Sequence, residues 1–176
     1  MQMELKPVEP NKKDILLNLF EKYDYEFSQY LTFLDVNELG LYNDEVPSCY
    51  WQNDGKHVAY FIEVDKKLAG FVMVADASTV GDRKTDFMID EFFVMYKYRR
   101  LGIGKQAFFD VLKKHRGRWQ VYYHPKNTPA VSFWEKAINE FTRGEYELIN
   151  SHPHPDYAHG DGISRNVIFF DNSQGE

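Results

Sequence analysis

Apolar and polar positions follow two different periods in the first third of the chain. Residues 3–7 alternate between apolar and polar side chains, as expected for a short strand. Over 15–23 the apolar residues recur every third or fourth position, which is typical of a helix with one buried face. The same spacing continues over 26–34 and predicts a second helix there.

The rest of the chain alternates between predicted strands and predicted helices. These elements are a hairpin over 58–64 and 68–75, a strand over 85–95, a helix from 103, a strand over 119–124, a helix begun by Asn127 or Thr128, and strands near 142–149 and 164–170. The order β-α-α-β-β-β-α-β-α-β-β predicts an α/β protein with a mixed sheet and helices packed on its faces.

The composition narrows the class of protein. With 176 residues, of which 43% are hydrophobic, residues 1–176 are expected to form one domain. The formal net charge of −6 argues against a broad nucleic-acid or anionic-membrane surface and favours a cationic substrate. The N-terminus lacks the apolar core of a signal peptide and no apolar run approaches membrane-spanning length, which predicts a cytoplasmic protein. The lone Cys49 excludes an intramolecular disulfide, and the oligomeric state stays open, with a homodimer among the options.

A basic turn with two glycines stands out against this acidic background. Gly102 and Gly104 lie between the strand that ends near Val94 and the helix that follows, and Arg99, Arg100 and Lys105 add positive charge. Glycines let the backbone approach a ligand closely, and the N–H groups at a helix N-terminus favour negative charge. The pattern therefore predicts a phosphate-binding turn.

The segment has four possible interpretations. Three are phosphate-binding turns of different nucleotide-binding families, and the fourth is a tight turn without a ligand. A P-loop is excluded because Lys105 is followed by Gln106 and no glycine lies five residues before Gly104. The run from Gly102 to Ala107 matches the G-x-G-x-x-A pattern of dinucleotide folds, but the next strand ends in His124 rather than in a ribose-binding acid. The third interpretation rests on a family resemblance.

Two segments resemble the cofactor-binding signatures of the GNAT superfamily of N-acetyltransferases. The first is Arg99-x-x-Gly102-x-Gly104, and the second is Asn127-x-x-Ala130-x-x-Phe133-Trp134-x-Lys136. The run Asp90-Glu-Phe-Phe-Val-Met95 is similar to a strand of the spermidine/spermine acetyltransferases. The resemblance implies a mostly antiparallel, mixed sheet of about seven strands flanked by about four helices.

The resemblance also implies which residues would contact acetyl-CoA. The main chain of 92–94 would pair with the pantetheine arm, and the Val94 N–H would polarise the thioester carbonyl. The pyrophosphate would lie on the N–H groups of 100–105. Asn127 would bond the pantetheine arm or an ordered water. The full set is Phe92, Phe93, Val94, Arg99, Arg100, Leu101, Gly102, Ile103, Gly104, Lys105, Asn127, Trp134 and Lys136.

Two members of this set have a competing structural interpretation. Lys136 would reach the adenine-side phosphate by resemblance, but a helix lysine is also commonly just solvated. Trp134 would pack against the cofactor or against the core. It stands where the family usually has the tyrosine that acts as general acid, and an indole N–H is not readily donated. Solvent, Tyr98 or Tyr123 would then have to protonate the leaving thiolate.

Asp90 and Glu91 are the candidate catalytic bases. Asp90 occupies the position of the spermidine-type catalytic glutamate. Because neighbouring side chains on a strand point to opposite faces, only one of the two is expected to face a given site, unless a bulge re-aims Glu91. The alternative is that these carboxylates pair with a lysine or cap a turn.

The expected activity is transfer of an acetyl group from acetyl-CoA to a primary amine of a small molecule, such as a polyamine, an amino acid or an antibiotic, by direct transfer and without a metal. Aromatic residues between Tyr23 and Trp51 are dense where the family covers its acceptor, and a few are expected to form a wall for a cation. Two alternatives stay open: an acyl-CoA-binding regulatory module without turnover, motivated by Trp134, and a protein or peptide N-acetyltransferase with an open groove.

One segment is rich in potential metal ligands. His152, His154, Asp156, His159 and Asp161 lie close together in the chain. Their spacing fits neither a helix nor a zinc finger, so a polar loop is the expected role, with lining of the acceptor pocket or metal binding as alternatives.

Overall fold

The computed structural model describes residues 1–42 and 45–174. Its seven strands are β1 Met3–Pro7, β2 Val58–Val64, β3 Lys67–Asp76, β4 Phe87–Val94, β5 Arg118–Tyr123, β6 Glu147–Ile149 and β7 Asn166–Asp171. They form one sheet in the order β1-β2-β3-β4-β5-β7-β6. The pairs β1/β2, β2/β3, β5/β7 and β6/β7 are antiparallel, and β4/β5 is parallel.

Three α-helices accompany the sheet in the described part of the chain: α1 Lys13–Phe27, α2 Ile103–Lys114 and α3 Thr128–Thr142. Short 3₁₀ turns lie at Pro10–Lys12, Ser48–Trp51, Tyr96–Tyr98 and Pro155–Tyr157. The mixed α/β fold with a seven-stranded, mostly antiparallel sheet is therefore confirmed. Within the described ranges, no helix is long and apolar enough to cross a membrane.

The helix predicted over 26–34 is wrong. Only its first two residues are helical, as the end of α1, and the chain continues in turns. The Ser28 hydroxyl donates to the carbonyl of Tyr25, and the Gln29 amide donates to the carbonyl of Glu26. These side-chain bonds occupy carbonyls of the last helical turn. Because side chains then compete with the backbone N–H groups for those carbonyls, the helix ends here instead of continuing.

The chain divides into two compact units, each with its own packing. The first consists of Met1–Val74 with Asp90–Ala107, and the second of Ala75–Ile89 with Phe108–Glu176. In the first unit an aromatic cluster joins α1 to β3 and β4. Phe20 stacks on Phe71 with ring centroids 4.7 Å apart, and Tyr23 meets both Phe71 and Phe93 edge-on at 5.9 Å. This cluster places Tyr23 beside β4.

The hairpin of β2 and β3 is closed by two residues in left-handed conformation, Asp65 (φ 48°) and Lys66 (φ 65°). Two positive φ angles in a two-residue loop match the twist of paired strands. Further along β3, a Cβ at Gly70 would lie 2.0 Å from the carbonyl oxygen of Phe93. Only glycine therefore allows the backbones of β3 and β4 to come this close.

The second unit is organised around buried rings that lie on β5 or contact it. Trp119 is fully buried, stacks on Phe170 with centroids 6.3 Å apart and donates its indole N–H to Asn172 at 3.2 Å. Tyr157 is also fully buried and donates to the side-chain oxygen of Gln120 at 2.7 Å. Both buried polar atoms are thus paired, as a low-dielectric interior requires.

Candidate active site

The two candidate bases at the middle of β4 each accept a hydrogen bond from a tyrosine far away in sequence. The hydroxyl of Tyr50, in the 3₁₀ turn Ser48–Trp51, donates to Asp90 Oδ2 at 2.6 Å. The hydroxyl of Tyr23, on α1, donates to Glu91 Oε2 in a short bond. The carboxylates thus have partners on different elements, as expected of neighbours on a strand.

The Tyr50 contact has an electrostatic consequence. Burial, reinforced by the negative charge of Asp90, raises the pKa of the Tyr50 hydroxyl far above its ordinary value. Tyr50 therefore keeps its proton and acts as a donor. A hydrogen bond donated to a carboxylate stabilises its charged form and fixes its orientation.

A cavity of about 300 Å³ lies beside these carboxylates. Its lining combines acidic, aromatic and apolar side chains: Phe20, Tyr23, Asp24, Glu45, Pro47, Met73, Asp90 and Glu91. Asp24 is buried, with 7% of its surface exposed, whereas Glu45 is exposed. All of these residues belong to the first unit. Both candidate bases therefore line one cavity, which differs from the expectation that only one of them would face a given site. Tyr23 lines the same cavity, and its role in an aromatic wall for the acceptor stays a prediction.

The end of β4 presents a main-chain donor. The Met95 N–H donates to the carbonyl of Ala69 on β3 at 2.8 Å. Because amide directions alternate along a strand, the Val94 N–H points away from β3. The Val94 carbonyl, on that same side, accepts from Arg99 Nε at 2.7 Å. The Val94 N–H is therefore not directed at β3, and its role as a donor to the thioester carbonyl stays a prediction.

The glycine turn adopts an open left-handed conformation before α2. Arg100 (φ 60°) and Gly102 (φ 78°) are left-handed, and α2 begins at Ile103. A Cβ at Gly102 would meet no atom within 4 Å. The backbone at Gly102 is therefore accessible, and its positive φ favours glycine. The first helical N–H groups, which lack intrahelical carbonyl partners, lie at this exposed end.

Arg99 is half-buried and makes several contacts within the protein. Besides its bond to Val94, its guanidinium pairs with Glu26 on α1 and lies 5.7 Å from the ring centroid of Phe93 and 5.6 Å from that of Tyr96. Arg99 thus ties the end of β4 to α1. Arg100, Leu101 and Lys105, in contrast, are exposed around the turn.

The second predicted cofactor segment lies in the second unit. Asn127 is the N-cap of α3, where its side-chain oxygen accepts from the Ala130 N–H at 3.2 Å. Trp134 is buried and meets the Phe108 ring edge-on at 5.1 Å, so it packs in the core of that unit. Lys136 is exposed on α3, which agrees with its solvated interpretation.

Of the two tyrosines suggested as general acid, Tyr123 holds its proton more tightly than an ordinary tyrosine, and the role of Tyr98 stays a prediction. The hydroxyl of Tyr123 donates to Glu135 at 3.2 Å, and burial and the charge of Glu135 raise the Tyr123 pKa well above its ordinary value. Tyr98 is buried in the 3₁₀ turn Tyr96–Tyr98, with the ammonium of Lys97 5.5 Å from its ring centroid.

In and around the histidine-rich segment, three histidines each lie near a different aspartate. His124 Nε2 lies 3.2 Å from Asp161, His152 lies 3.7 Å from Asp82, and His154 lies 3.7 Å from Asp156. Within the described ranges, no group of three or more His, Cys, Asp or Glu side chains is arranged to hold a metal ion. The segment is thus a set of paired polar contacts.

Sequence reasoning missed the tyrosine–carboxylate pairs. It placed Tyr23 and Tyr50 in a general aromatic set, because partners 68 and 40 positions apart leave no local spacing signal. The resemblance to a strand carrying Asp90 and Glu91 pointed to the carboxylates alone.

The sequence profile described as the acetyltransferase (GNAT) family matches residues 18–139. This span covers most of the chain, so the chain belongs to the GNAT family and is an acetyl-CoA-dependent acyltransferase. A search of curated proteins finds no match.

Solved structures share the fold at low sequence identity. A GNAT acetyltransferase from Streptococcus agalactiae is 17% identical, with a TM-score of 0.63, over 96% of this chain and 95% of that one. A protein from Bacillus anthracis assigned as a streptothricin acetyltransferase, in complex with acetyl coenzyme A, is 13% identical with a TM-score of 0.61 over 97% and 99%. The diaminobutyrate acetyltransferase of Paenibacillus lautus, in complex with L-2,4-diaminobutyric acid and coenzyme A, is 12% identical with a TM-score of 0.61 over 99% and 98%.

Proposed function

We propose that the protein transfers an acetyl group from acetyl-CoA to a primary amine of a small molecule, directly and without a covalent enzyme intermediate. The observation that carries the proposal is the pair of tyrosine-bound carboxylates, Asp90 and Glu91, which line a cavity on the strand that leads into the glycine turn. A base, a main-chain donor and a phosphate-binding turn then follow one another within sixteen residues, from Asp90 to Lys105.

The residues around Gly102 fit a bound coenzyme A. The open space at Gly102 and the exposed start of α2 suit a pyrophosphate, and Arg100 and Lys105 add positive charge there. The main chain of Phe92 to Val94 would hold the pantetheine arm. Bound acetyl-CoA supplies an activated acetyl thioester.

The acetyl transfer has three steps to which the chain or the solvent must contribute. Asp90 or Glu91 accepts a proton from the incoming ammonium, directly or through a water, so that a neutral amine attacks the carbonyl carbon. The Val94 N–H stabilises the negative charge that develops on the carbonyl oxygen. As the carbon–nitrogen bond forms, the carbon–sulfur bond breaks and the attacking nitrogen releases its remaining extra proton to solvent. The thiolate takes a proton from solvent and needs no strong acid, since a thiolate is a weak base.

The size of the cavity favours a small acceptor over a peptide. About 300 Å³ is at the lower end of the range for small-molecule pockets, whereas a peptide strand needs an extended groove. Two structural relatives, the streptothricin and diaminobutyrate acetyltransferases, are named for acceptors that are small molecules. These observations support a small amine as the acceptor.

The test is a thiol-release assay with acetyl-CoA and a panel of amines, amino acids, aminoglycosides and peptides. We expect release with a small amine, a loss of at least tenfold in kcat for Asp90→Asn or Glu91→Gln, and unchanged acetyl-CoA affinity in both variants. Glu4→Gln, which removes an exposed carboxylate on β1, is the matched control. Acetyl-CoA binding without thiol release for every compound would instead identify a regulatory module, and release with peptides alone would identify a protein acetyltransferase.

A further inference from the structure

Arg165 carries a half-buried guanidinium that has no carboxylate partner. The residue lies directly before β7, at the end of the chain segment that follows the histidine-rich segment. Its Nε atom is buried without a hydrogen-bond partner, and within the described residues Arg165 takes part in no ion pair. An unpaired buried N–H and a partly buried, unpaired charge both cost free energy. Such a group in a folded protein therefore requires an explanation, and a ligand that accepts the hydrogen bond is one.

Arg83, in the same unit, shows the arrangement that Arg165 lacks. The Arg83 guanidinium lies 4.5 Å from the ring centroid of Phe169, and its two terminal nitrogens donate to the two carboxylate oxygens of Glu147. The Arg165 guanidinium lies at a similar distance, 4.6 Å, from the ring centroid of Tyr122. An aromatic ring stabilises the positive charge but accepts none of the in-plane N–H bonds of a guanidinium. Arg165 therefore retains donors for a ligand.

The main chain holds Arg165 in a fixed position. Its N–H donates to the carbonyl of Tyr157 at 2.9 Å, and its carbonyl accepts from the N–H of His152 at 2.9 Å. Tyr157 is fully buried and His152 is nearly so. The backbone of Arg165 is thus tied to the interior of the second unit, while Tyr122 on β5 contacts the far end of its side chain. A donor group that is ordered before a ligand arrives loses less conformational freedom on binding.

The charges near Arg165 suit a ligand with a single negative charge. Burial, reinforced by the charge of Arg165, lowers the pKa of His159 to about 4, so His159 is neutral near pH 7 and adds no second cation. Asp161 also acts on His159, but its carboxylate lies 3.2 Å from His124 Nε2. His124 Nδ1 accepts from the Lys126 N–H, which places the ring proton on Nε2, where it is donated to Asp161. One guanidinium charge is therefore left to be matched.

The chemistry of this donor favours a carboxylate. Two neighbouring N–H groups of a guanidinium match the spacing of the two oxygens of a planar carboxylate. Arg118, in the same unit, uses this side-on arrangement with Asp86, to which its Nε and Nη2 donate at 3.0 and 2.7 Å. Tyr122 also belongs to a half-buried apolar surface with Val80 and Ile149. Such a surface suits the hydrocarbon part of a small organic acid.

We infer that Arg165, held against the ring of Tyr122, binds the carboxylate of a small monocarboxylic acid. The Nε–H and one terminal N–H donate to the two carboxylate oxygens, so the ligand supplies both the missing acceptor and the missing counter-charge. Both residues belong to the second unit, and neither lines the cavity beside β4. The inference is independent of the proposed acetyl transfer, because this binding requires neither acetyl-CoA nor an amine.

The test is a nuclear magnetic resonance titration of the ¹⁵N-labelled full chain with sodium acetate, isobutyrate or benzoate, near pH 7 and at constant ionic strength. The readout is the Nε–H signal of Arg165, which is assigned by its loss in Arg165→Lys. We expect a saturable shift of this signal with at least one of the three acids. No saturable shift with any of them would overturn the site. A lower Kd for inorganic phosphate than for every acid would overturn the assignment to a carboxylate.

Variants then show whether the fork of Arg165 carries the binding. The Kd, followed on the backbone amide signals of Tyr122 and Asn166, should rise at least tenfold in Arg165→Gln. Arg165→Lys keeps the charge but loses the fork, and its Kd should rise at least threefold. Arg143→Gln removes the same charge at an exposed position of the same unit and should leave the Kd unchanged. A wild-type Kd in Arg165→Gln, or in Arg165→Lys if Arg165→Gln does not fold, would overturn the assignment.

Discussion

The tyrosines bound to Asp90 and Glu91 allow the two candidate bases to be separated. Removing one hydroxyl removes a hydrogen bond that orients its carboxylate, and a hydrogen bond to a charged group contributes about 1.5–3 kcal/mol. If Asp90 is the base, Tyr50→Phe should lower kcat by about tenfold, and if Glu91 is the base, Tyr23→Phe should do so. The measurement is steady-state kinetics with a saturating amine.

Tyr25→Phe is the control for both substitutions, because Tyr25 is 73% exposed on the same helix as Tyr23. The KM for acetyl-CoA should change little in all three variants. Full kcat in both Tyr50→Phe and Tyr23→Phe would contradict a positioning role for these hydroxyls and reduce them to structural contacts.

Gly102 offers a second test at the residue scale, because its backbone strain and its predicted ligand contact can be distinguished. Gly102 (φ 78°) and Gly55 (φ 73°) are both left-handed, and a Cβ at either meets nothing within 4 Å. Alanine in this conformation costs about 1–2 kcal/mol of stability at each site. Only Gly102→Ala should weaken acetyl-CoA binding, by at least tenfold in Kd measured by calorimetry.

Comparing the two variants therefore separates the effect of backbone strain from the effect on ligand binding. Equal losses of stability in Gly102→Ala and Gly55→Ala, with equal acetyl-CoA affinity in both, would mean that the glycine serves the turn alone. A lower affinity in Gly102→Ala at matched stability supports close approach of the ligand to this backbone.

At the scale of elements, β3 controls where the end of β4 lies. A Cβ at Gly70 would fall 2.0 Å from the Phe93 carbonyl oxygen, which is backbone and has little freedom to move away. Gly70→Ala should therefore separate β3 from β4, with a loss of at least about 2 kcal/mol in the free energy of unfolding. Because Val94 follows Phe93, kcat should fall as well.

Urea denaturation and steady-state kinetics check this prediction. Gly40→Ala is the reference for backbone strain without a clash, because a Cβ there meets no atom within 4 Å but the φ of 73° costs alanine about 1–2 kcal/mol. A Gly70→Ala protein with wild-type stability and full activity would show that the strands adjust without consequence for Val94.

The elements that depend on neighbouring residues could be predicted from the sequence. Features that depend on side-chain competition for backbone carbonyls, or on contacts between residues far apart in the sequence, could not. The hairpin over β2 and β3 follows from two apolar runs around a short polar turn, and α3 from the capping oxygen of Asn127. The segment 26–34 has helical spacing too, but Ser28 and Gln29 take up carbonyls of the last turn of α1. Periodicity does not report such side-chain competition.

The same contrast applies to the candidate site. The residues of the glycine turn follow one another in the sequence, so the left-handed backbone and the start of α2 could be predicted from it. The pairing of Tyr23 with Glu91 needs the aromatic cluster that packs α1 on β3 and β4. The engagement of Arg99 with Glu26 depends on the same packing. Contacts that depend on tertiary packing have no sequence period.

For the whole molecule, the acidic charge should govern the approach of the acceptor. A net charge of −6 and four carboxylates at the cavity attract a cationic amine, and salt screens this attraction over a Debye length of about 8–10 Å near physiological ionic strength. The KM for an amine that the thiol-release assay identifies as an acceptor should rise severalfold between about 20 mM and about 500 mM NaCl, as measured by steady-state kinetics. A KM that does not change with salt would contradict electrostatic attraction of the acceptor.

The stability of the folded chain should depend on pH through His159. Burial, reinforced by the positive charge of Arg165 and by His124, lowers the His159 pKa to about 4, and Asp161 opposes this shift. The unfolded chain has the ordinary histidine pKa of about 6.5, so it binds more protons than the folded chain between these values. The stabilisation is therefore complete above pH 6.5 and is lost as the pH falls toward 4.

His159→Gln isolates this contribution, because it keeps a polar side chain but removes the titration. Carboxylates such as Asp161, whose pKa is lowered, also destabilise the protein on acidification, but they do so in both proteins. The difference in unfolding free energy between wild type and His159→Gln should thus decline from pH 7 to pH 4, by at most about 1.4 kcal/mol per pH unit. The measurement is urea denaturation at half-unit pH steps. A difference that stays constant across this range would show that His159 titrates alike in the folded and unfolded chains, and that its burial does not oppose protonation.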